Sequence, residues 1–502
     1  MSTVVTDEKT ATKAAPKEYR QFIGGKWVPA ANGATYADHD PFTGDSMATV
    51  PASTREDAKR AVEAAANAFP TWWKTPPGEK QRLFLKAADI LERRQMEIVG
   101  LLASETGCTF GFGMFQTIFT PNLLRQVAAL PYQPTGEILP ADLPGAFYMG
   151  VRQPVGVVAG LAPWNAPLIL SLRAIAAPIA LGNTAVLKPS EESPITGGLI
   201  YAEIFEEAGF PAGVLNVVTH APGQAEPVVD EFMENPKVRR ISFTGSTRTG
   251  RLLAQKAAKQ LKRMVLELGG QNPLIVLADA DLDYAVNATA FGTFLHQGQI
   301  CMSARKIIVE RPIAKEFTDR LVAKTKGLKV GSPNEPDTII GPLINKQAVD
   351  QVRARVEEAV NKGARVLTGG KAQGNVFEPT LLTNVPADVT MSKDETFGPV
   401  ATITVVDDAD EAVEVANQTS YGLSAGILTR DADRGLALAE RIQSGIVHIN
   451  DQPVNDEPQV PFGGTKDSGY GRFGGSEAVH EFTEMRWITV QGGGGRPFPP
   501  GF

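Results

Sequence analysis

The feature of this sequence that most constrains its fold is a regular alternation of short apolar runs with helical patterns, beginning near Val151. Continuous apolar runs are typical of strands buried on both faces, and strands that alternate with helices form parallel sheets. The sequence therefore predicts an α/β fold whose functional loops gather at the carboxyl ends of the strands. The predicted strands cover 155–161, 184–188, 214–218, 240–243 and 264–268, and the predicted helices 168–180, 196–207 and 250–261.

The same alternation resumes after Gly269-Gly270 and continues to about Ser444. Because 502 residues are too many for one hydrophobic core, two to four domains are expected. We therefore predict two doubly wound parallel-sheet domains. The strands predicted in the second domain are 272–277, 306–309 and 401–406, and the helices 285–295 and 348–362.

The two ends of the chain differ from this middle part. Residues 1 to about 18 are polar and without period, which predicts a disordered tail. A hairpin is predicted over 21–28, a capping box at Ser53–Glu56 opens a helix, and further helices are predicted over 81–106 and 114–130. The Gly/Pro-rich end, 491–502, fits neither helix nor sheet, so surface wrapping or disorder is expected.

Composition excludes several classes of function. The net charge of −7 is spread along the chain, which argues against nucleic acid or an acidic membrane surface as a partner. The five histidines are scattered, so no metal site is expected. Cys108 and Cys301 are the only cysteines, so no disulfide framework exists and a reducing compartment is expected.

The most apolar window, 155–172, is long enough to span a membrane, but its sequence argues against a span. Pro163, Asn165 and Pro167 interrupt it and Arg173 closes it, so a buried strand and loop is the better interpretation. The N-terminus lacks the basic-then-apolar plan of a signal peptide. We therefore expect a cytoplasmic protein that does not enter a membrane.

The stretch 294–303 places Cys301 after a turn marked by Gly298 and before the predicted strand 306–309. A small reactive side chain at a glycine-containing turn is an arrangement that suits a nucleophile. A lone cysteine is more often a small buried hydrophobe, so this stretch alone leaves both interpretations open.

Four further blocks line up with this cysteine and decide between the two interpretations. Together with it they resemble the aldehyde dehydrogenase superfamily over residues 20 to 490, through motifs that are long, ordered and mutually spaced. The blocks are Ala162-Pro-Trp-Asn-Ala-Pro167, Gly182-Asn-Thr-Ala-Val-Leu-Lys-Pro-Ser-Glu191, Phe243-Thr-Gly-Ser-Thr-Arg-Thr-Gly250 and Leu266-Glu-Leu-Gly-Gly270.

The resemblance implies three catalytic residues. Cys301 would attack the aldehyde carbonyl, Glu267 would be the general base, and Asn165 would stabilise the oxyanion together with the backbone N–H of Cys301. A glutamate is more often on the surface, but Glu267 lies between Leu266 and Leu268, where desolvation would raise its pKa. Asn165 could equally cap the following helix.

The resemblance also implies NAD as the cofactor. Lys188 and Glu191 would hold the adenosine ribose, and the carboxylate of Glu191 would repel a 2′-phosphate, so NAD is expected to be preferred over NADP. The segment 243–250 would place the pyrophosphate at a helix N-terminus. The expected cofactor-binding residues are Ala162, Pro163, Trp164, Lys188, Ser190, Glu191, Gly223, Phe243, Thr244, Gly245, Ser246, Gly250, Leu268, Glu395 and Phe397.

The substrate is the least constrained part of the resemblance. The expected pocket residues are Ala166, Leu170, Arg173, Met302 and Phe462, with Val454 and Val460 as further walls. An apolar wall with a small residue at Ala166 suits a flat ring, and the run 461–475 resembles bacterial aromatic aldehyde dehydrogenases. The alternative is a semialdehyde dehydrogenase with Arg173 as a carboxylate clamp, although Leu295 stands where that type has a second arginine. Arg173 could also be an ordinary snorkelling residue.

The resemblance implies domains and assembly as well. It divides the chain into an NAD-binding domain (19–136 and 155–267), a catalytic domain (268–479) and a small β oligomerisation arm (137–154 and 480–490), which implies a homodimer or homotetramer.

Relatives that transfer the acyl group to coenzyme A usually lack a glutamate at the position of Glu267, so hydrolysis is expected. A catalytically silent relative would have lost the nucleophile, the base or the oxyanion amide, and all three are present.

Overall fold

The computed structural model describes residues 16–133, 136–492 and 498–501. The strands of this part of the chain are β1 Lys17–Glu18, β2 Gln21–Ile23, β3 Lys26–Val28, β4 Thr35–His39, β5 Ser46–Pro51, β6 Gly136–Leu139, β7 Ala146–Pro154, β8 Val157–Leu161, β9 Thr184–Lys188, β10 Leu215–Val217, β11 Val238–Thr244, β12 Arg263–Glu267, β13 Pro273–Val276, β14 Lys306–Glu310, β15 Arg365–Thr368, β16 Ala372–Gln373, β17 Val376–Phe377, β18 Thr380–Thr383, β19 Val400–Val406, β20 Ser424–Leu428, β21 Ile446–Ile449, β22 Gly469–Tyr470 and β23 Thr483–Gln491.

Helices alternate with these strands through most of the chain. They are α1 Arg55–Lys74, α2 Pro77–Arg93, α3 Gln95–Thr106, α4 Phe110–Val127, α5 Pro167–Ala180, α6 Ile200–Ala208, α7 Glu226–Glu234, α8 Thr247–Ala258, α9 Leu282–Phe294, α10 Arg311–Lys326, α11 Lys346–Asn361, α12 Thr390–Lys393, α13 Ala409–Asn417, α14 Ala432–Ala439 and α15 Glu477–Phe482. Among the described residues, no helix is both long and apolar enough to cross a membrane.

The first large sheet has the strand order β22-β12-β11-β8-β9-β10-β2-β3. Its five central strands, from β12 to β10, are parallel, and both edges are antiparallel. Alternate side chains face opposite layers: Val158 and Leu187 pack in the core that contains α5, whereas Ala159 and Val186 pack in the core that contains α1, α7 and α8. This is the predicted doubly wound sheet with helices on both faces.

The second large sheet has the order β15-β18-β19-β14-β13-β20-β21, in which all strands except β15 are parallel. One face packs against α9 and α10, and the other against α13 and α14. Because the two sheets are joined through the segment after Glu267, the carboxyl end of β12 and the loop before β14 can contribute to the same cleft.

A third, smaller sheet has the order β23-β7-β6. β7 and β23 pair antiparallel along their whole length, from Pro154 opposite Thr483 to Ala146 opposite Gln491. Several large apolar side chains of this sheet are exposed: Ile138, Phe147, Met485, Trp487 and Val490. The predicted domain boundaries stay predictions, because the sheets and helices do not by themselves define where one domain ends and the next begins.

Four local predictions were wrong. Lys17–Glu18, placed in the disordered tail, form β1 and pair with β5, while residues 1–15 lie outside the described part. The capping box is displaced by one residue: Thr54 is the N-cap, and its backbone N–H donates to Asp57 at 2.9 Å. The helix predicted over 81–106 is two helices that meet at Arg94. The helix predicted over 196–207 begins as a π-helical turn, Ile195–Leu199.

Two further boundaries differ from expectation. β22 belongs to the segment assigned to the catalytic domain, yet it pairs with β12 of the first sheet. Gln491, assigned to the C-terminal tail, is the last residue of β23, and Gly492 donates to the carbonyl of Gly145 at 2.9 Å. Residues 493–497 and 502 of that predicted tail lie outside the described residues.

Candidate active site

Cys301 lies in a tightly fixed turn between α9 and β14. His296, Gln297 and Gly298 all have left-handed backbone conformations, with φ of 50°, 56° and 66°. Only glycine fits at Gly298, because a Cβ there would strike the carbonyl oxygen of Gly398. The Gln297 amide donates to two backbone carbonyls, at 3.0 and 2.9 Å. The turn is therefore rigid, and it leaves Cys301 partly exposed.

Buried Arg305 supports the same turn from beneath. Its guanidinium donates to the carbonyl of Gly298 and, at 2.6 Å, to the carbonyl of Gly398. Burial lowers the pKa of Arg305 to about 10, so the side chain stays charged at neutral pH. Sequence reasoning did not identify this residue, because its role depends on carbonyls that lie far apart in the chain.

The three predicted catalytic residues line one cleft of about 300 Å³. Cys301 and Asn165 also line a second, apolar cavity of about 50 Å³, whereas Glu267 lines only the first. The two cavities therefore meet at Cys301 and Asn165. A carbonyl carbon at this junction would be accessible to a thiol from one side and to a cofactor ring from the other.

Glu267 is the last residue of β12 and is 2% exposed. Neither carboxylate oxygen has a hydrogen-bond partner among the described residues. Burial raises the pKa of Glu267 well above its usual value, while Arg472, Arg173 and the backbone of Gly464 oppose the shift without cancelling it. A buried carboxyl group without partners is costly to maintain, so such a group calls for a functional explanation.

The pKa of the Cys301 thiol is also shifted from its usual value. Burial raises its pKa, and the negative charges of Glu395, Glu267 and Asp456 raise it further, with Arg173 acting in the opposite direction. The thiol is therefore protonated at neutral pH, and it needs a base before it can act as a nucleophile. Glu267, whose raised pKa makes it a stronger base than an ordinary carboxylate, is the group in the cleft that fits this role.

Asn165 joins the loop after β8 to the nucleophile turn. Its side-chain N–H donates to the carbonyl of Gln299 at 2.9 Å, in a buried position. The alternative that Asn165 caps the following helix was wrong, because the N-cap of α5 is Ala166 and no side chain caps it. The amide is thus held beside Cys301 by the turn itself.

The larger cleft contains much of the predicted cofactor site. Ser246 is the N-cap of α8 and accepts from the backbone N–H of Thr249 at 3.3 Å, so the first turn of this helix opens at the cleft. Gly245 has no room for a side chain, since a Cβ would lie 2.5 Å from the ring of Phe243. The predicted residues that line this cleft are Pro163, Trp164, Thr244, Gly245, Ser246, Leu268, Glu395 and Phe397.

The far wall of this cleft is formed by the loop before β19. Phe397 meets Trp164 edge to face, with 5.6 Å between ring centroids. Glu395 accepts a hydrogen bond from the backbone N–H of Gly270 at 3.2 Å, and burial raises its pKa to about 7. Gln351 and Arg355 of α11 also line the cleft, and the sequence analysis did not identify either residue.

A second group of predicted cofactor residues lies at the ends of β9 and β10. Lys188 is buried, and its ammonium group lies 2.6 Å from Nε2 of His220. His220 Nε2 in turn lies 3.6 Å from a carboxylate oxygen of Glu191, and Ser190 Oγ donates to the same carboxylate at 3.2 Å. His220 completes this cluster, which we call the Lys188–Glu191–His220 cluster, and it was missed from sequence.

The charges in this cluster follow from burial and mutual contact. Burial lowers the pKa of Lys188 to about 8 and that of His220 to about 4, so the imidazole is neutral and its Nε2 accepts from Lys188. Burial acts to raise the pKa of Glu191, but His220, Lys188 and the Ser190 hydroxyl outweigh it and leave the pKa below its usual value. Glu191 is therefore a carboxylate.

Four further predicted cofactor residues lie neither in the larger cleft nor in the group around Lys188: Ala162, Gly223, Phe243 and Gly250. Ala162 is buried at the end of β8, and Gly223 lies in an exposed turn with φ of 73°. Gly250 lies within α8, where a Cβ would approach Leu268 to 2.5 Å, so its role is close packing of the helix. Within the described residues, no cluster of three or more His, Cys, Asp or Glu residues could hold a metal ion.

All five predicted substrate-pocket residues line the apolar cavity beside Cys301: Ala166, Leu170, Arg173, Met302 and Phe462. Val454 lines it as well, but Val460 does not and is 37% exposed. Sequence reasoning missed the remaining walls, which are Phe112, Phe115, Ile169, Ile300 and Asp456. Phe112 and Phe115 come from α4, far in the sequence from the quoted motifs, and no motif links them to Cys301.

An outer cavity of about 980 Å³ adjoins this pocket through shared walls at Phe115 and Val454. Its other walls come mainly from α9, α10 and the segment 327–339, and include Ala290, Phe291, Leu295, Leu328 and Ile339. The exposed apolar side chain of Phe291 stands in this wall. An apolar molecule can thus approach Cys301 along a largely apolar path.

Arg173 is engaged within the protein. Its Nη2 donates to a carboxylate oxygen of Asp456 at 2.6 Å, and both side chains are buried. The guanidinium also lies over the ring of Phe462, 4.4 Å from its centroid. The snorkelling alternative was therefore wrong, because the charged end of Arg173 points into the pocket wall and not into solvent.

Comparison with known proteins shows the family to which the chain is similar. The model of the aldehyde dehydrogenase family matches residues 27–488. A vanillin dehydrogenase of Pseudomonas fluorescens is 46% identical over 94% of this chain and 97% of its own, and an NAD⁺-dependent benzaldehyde dehydrogenase of Pseudomonas putida is 43% identical over 95% and 98%. The crystal structure of a salicylaldehyde dehydrogenase from Pseudomonas putida G7, complexed with salicylaldehyde, superposes with a TM-score of 0.94 at 41% identity, covering 96% of this chain and all of that one.

Proposed function

The chain belongs to the aldehyde dehydrogenase family, and we propose that it oxidises an aromatic aldehyde to the carboxylic acid with NAD as the electron acceptor. The observation that carries the proposal is the junction of the two cavities at Cys301. A thiol and an amide donor lie at this junction, between an apolar pocket and a cleft that opens on a helix N-terminus, and a buried carboxyl group lines the same cleft.

The residues of the larger cleft fit a dinucleotide. The first turn of α8 offers backbone N–H groups to a pyrophosphate, and Gly245, packed against the ring of Phe243, lines the cleft beside that turn. Trp164 and Phe397 would bound the nicotinamide end, and Glu395 would accept from ribose hydroxyls. When bound, NAD⁺ supplies the acceptor for the hydride that leaves the substrate carbon.

The first step of the proposed mechanism is formation of a carbon–sulfur bond. Glu267 accepts the thiol proton of Cys301, and the thiolate attacks the aldehyde carbon to give a thiohemiacetal oxyanion. The Asn165 side-chain amide and the backbone N–H of Cys301 would donate to that oxygen. The carbonyl re-forms as the C–H electron pair leaves, and the substrate is left as a thioester on Cys301.

The second step is hydrolysis of this thioester. Glu267 first releases the thiol proton to solvent and then takes a proton from water. The resulting hydroxide adds to the thioester carbon, the carbon–sulfur bond breaks to release the acid, and Glu267 returns its proton to the Cys301 thiolate. The buried, unpartnered carboxyl group of Glu267 suits this work, since its raised pKa makes it a competent base. A coenzyme A-acylating activity would not need such a base, so we propose hydrolysis.

The preference for NAD over NADP rests on the Lys188–Glu191–His220 cluster. The carboxylate of Glu191 can accept from both ribose hydroxyls, and it would repel a 2′-phosphate in the same place. Lys188 would donate to a ribose oxygen. His220 accepts from Lys188 at 2.6 Å and so fixes the direction of that ammonium group.

The proposal that the substrate is an aromatic aldehyde is supported by the residues of the pocket and by the similarity to known dehydrogenases. Apart from Asn165 and the Arg173–Asp456 pair, the walls beside Cys301 are apolar side chains and the thiol itself, and the vanillin and benzaldehyde dehydrogenases named above are similar along nearly the whole chain. A semialdehyde with a carboxylate is disfavoured, because Arg173 is already paired with Asp456. The outer apolar cavity would favour the approach of a ring.

The proposal also covers the oligomeric state, the roles of the domains and the cellular compartment. The exposed apolar side chains of the β23-β7-β6 sheet favour a homo-oligomer, either a dimer or a tetramer, with 137–154 and 480–490 as the arm. We assign cofactor binding to 19–136 and 155–267 and catalysis to 268–479. A reducing compartment such as the cytoplasm is required, because the mechanism needs Cys301 as a free thiol.

The test is NADH formation with benzaldehyde, vanillin, salicylaldehyde, a medium-length aliphatic aldehyde and succinic semialdehyde, each with NAD and with NADP. The proposal predicts that an aromatic aldehyde with NAD gives the highest kcat/KM, by about tenfold or more, which corresponds to about 1.4 kcal/mol of transition-state binding. If succinic semialdehyde gives the highest value, the aromatic assignment is wrong.

A further inference from the structure

The wall of the substrate pocket contains a buried ion pair whose charges the proposed mechanism does not use. Arg173 lies on α5, about two helical turns beyond Asn165, and Asp456 lies in the loop between β21 and β22. The Arg173 and Asp456 side chains are 3% and 9% exposed, and Nη2 of the arginine lies 2.6 Å from a carboxylate oxygen of the aspartate. Both residues line the cavity that contains Cys301.

This pair determines what the pocket can accept. A free guanidinium in a buried pocket would bind a carboxylate through two parallel N–H donors. Here one side of the fork already holds Asp456, while Nη1 has no hydrogen-bond partner among the described residues. The pair is neutral as a whole, and the N–H groups of Nη1 remain for a neutral oxygen. A substrate carboxylate would therefore find no uncompensated positive charge.

We propose that Asp456 is a specificity-determining residue, an internal carboxylate that occupies Arg173 so that the pocket rejects aldehydes carrying a carboxylate and accepts aldehydes with neutral oxygen substituents. This inference rests on the proposed oxidation of aldehydes at Cys301. It adds the chemical class of substrate that the pocket excludes and the residue that excludes it.

The geometry explains why the effect belongs to Asp456 in particular. Its carboxylate contacts Arg173 directly, and the guanidinium is held over Phe462, so the arginine cannot turn to a new anion without leaving the aspartate. A substrate carboxylate in the pocket would also stand beside the negative charge of Asp456. Removing that charge frees the arginine for a charge-assisted contact, which corresponds to about a 10- to 100-fold gain for a carboxylate-bearing substrate.

The experiment compares 4-carboxybenzaldehyde with its neutral carboxamide, 4-formylbenzamide, which has nearly the same shape. The ratio of their kcat/KM values is measured for the unsubstituted enzyme and for Asp456→Asn, so that differences in intrinsic reactivity cancel. Glu457→Gln is the matched control, because it removes the same charge from the exposed neighbouring residue. The double variant Asp456→Asn/Arg173→Met tests whether any gain depends on the arginine.

We expect the carboxylate-to-carboxamide ratio to rise by about 10- to 100-fold in Asp456→Asn, to stay unchanged in Glu457→Gln, and to fall back in the double variant. An unchanged ratio in Asp456→Asn, or a gain that persists without Arg173, would overturn the proposal. The unsubstituted enzyme provides a test that does not depend on the folding of a variant. If it uses the carboxylate as well as the carboxamide, the proposal is wrong.

A binding measurement separates this inference from the proposed function. The two compounds are titrated by calorimetry into Cys301→Ala enzyme, with and without Asp456→Asn. A shift of the affinity ratio toward the carboxylate supports the role of Asp456 even if no form of the enzyme shows turnover, in which case the proposed function alone fails. An unchanged affinity ratio in protein that oxidises benzaldehyde when Cys301 is intact means that only the specificity inference fails.

Discussion

The side-chain amide of Asn165 donates a hydrogen bond to the backbone carbonyl of Gln299 at 2.9 Å. This contact ties the loop after β8, at the edge of one sheet, to the turn that carries Cys301 in front of the other. An asparagine amide has two N–H groups, so one can hold the turn while the other donates to the substrate oxygen. In the proposed mechanism, this one side chain therefore brings an oxyanion donor of one sheet to the nucleophile turn of the other.

Asn165→Ala should lower kcat for benzaldehyde by about 100- to 1000-fold, because one oxyanion donor is worth about 3 kcal/mol of transition-state stabilisation. Steady-state NADH formation measures this loss. The melting temperature and the affinity for NAD should change little, and they serve as controls for a displaced turn. If the variant keeps most of the wild-type kcat, Asn165 does not stabilise the oxyanion.

The sequence predicted the strands that carry the site residues better than it predicted the contacts between the side chains of the site. Apolar runs identified β8, β9 and β12, whose carboxyl ends carry Asn165, Lys188 and Glu267, because buried parallel strands are unmistakable in composition. The family motifs then supplied the roles. Those predictions needed only residues that are close together in the chain, which is the information that a single sequence contains.

The contacts that sequence reasoning missed join residues far apart in the chain. Asp456 pairs with Arg173, and His220 pairs with Lys188, across loops whose relative placement only the folded chain fixes. The nucleophile turn adds a second difficulty. A helix up to residue 295 and a turn before Cys301 were predicted, but not the left-handed conformations of His296 and Gln297, which non-glycine residues seldom adopt.

Glu267→Gln should separate the two halves of the reaction. Without the base, the thiol proton can leave only to solvent and no group activates the hydrolytic water, so rapid mixing with NAD and benzaldehyde should give a slowed first phase of about one NADH per subunit, followed by still slower turnover. Stopped-flow absorbance at the NADH band measures both phases. Slow turnover with no separate first phase would mean that loss of the thiol proton, and not hydrolysis of the thioester, limits the variant.

The pH dependence of hydrolysis follows from the raised pKa of Glu267. The carboxyl group is protonated below that raised value and cannot act as a base, so the turnover rate should increase with pH as the proton is lost. The rate of the slow phase in Glu267→Gln should lack this increase. An identical pH profile in both forms would assign the titration to another group.

Glu191→Ala should narrow the preference for NAD over NADP by about tenfold or more, because it removes the charge that repels a 2′-phosphate. The ratio of kcat/KM for the two cofactors, at saturating benzaldehyde, measures the change. Glu192→Gln is the matched control, since Glu192 instead accepts from Asn345 at 2.7 Å. Equal ratios in the wild type and Glu191→Ala would place cofactor discrimination elsewhere.

The central claim is that the reaction passes through a thioester on Cys301, and the most direct measurement is the mass of the enzyme during turnover. Glu267→Gln enzyme is mixed with NAD and benzaldehyde, quenched in acid, and analysed by intact mass and peptide mapping. We predict one benzoyl group per chain on the peptide that contains Cys301, and none in the double variant Glu267→Gln/Cys301→Ser. A full burst of NADH from enzyme that carries no benzoyl group on Cys301 would contradict the account.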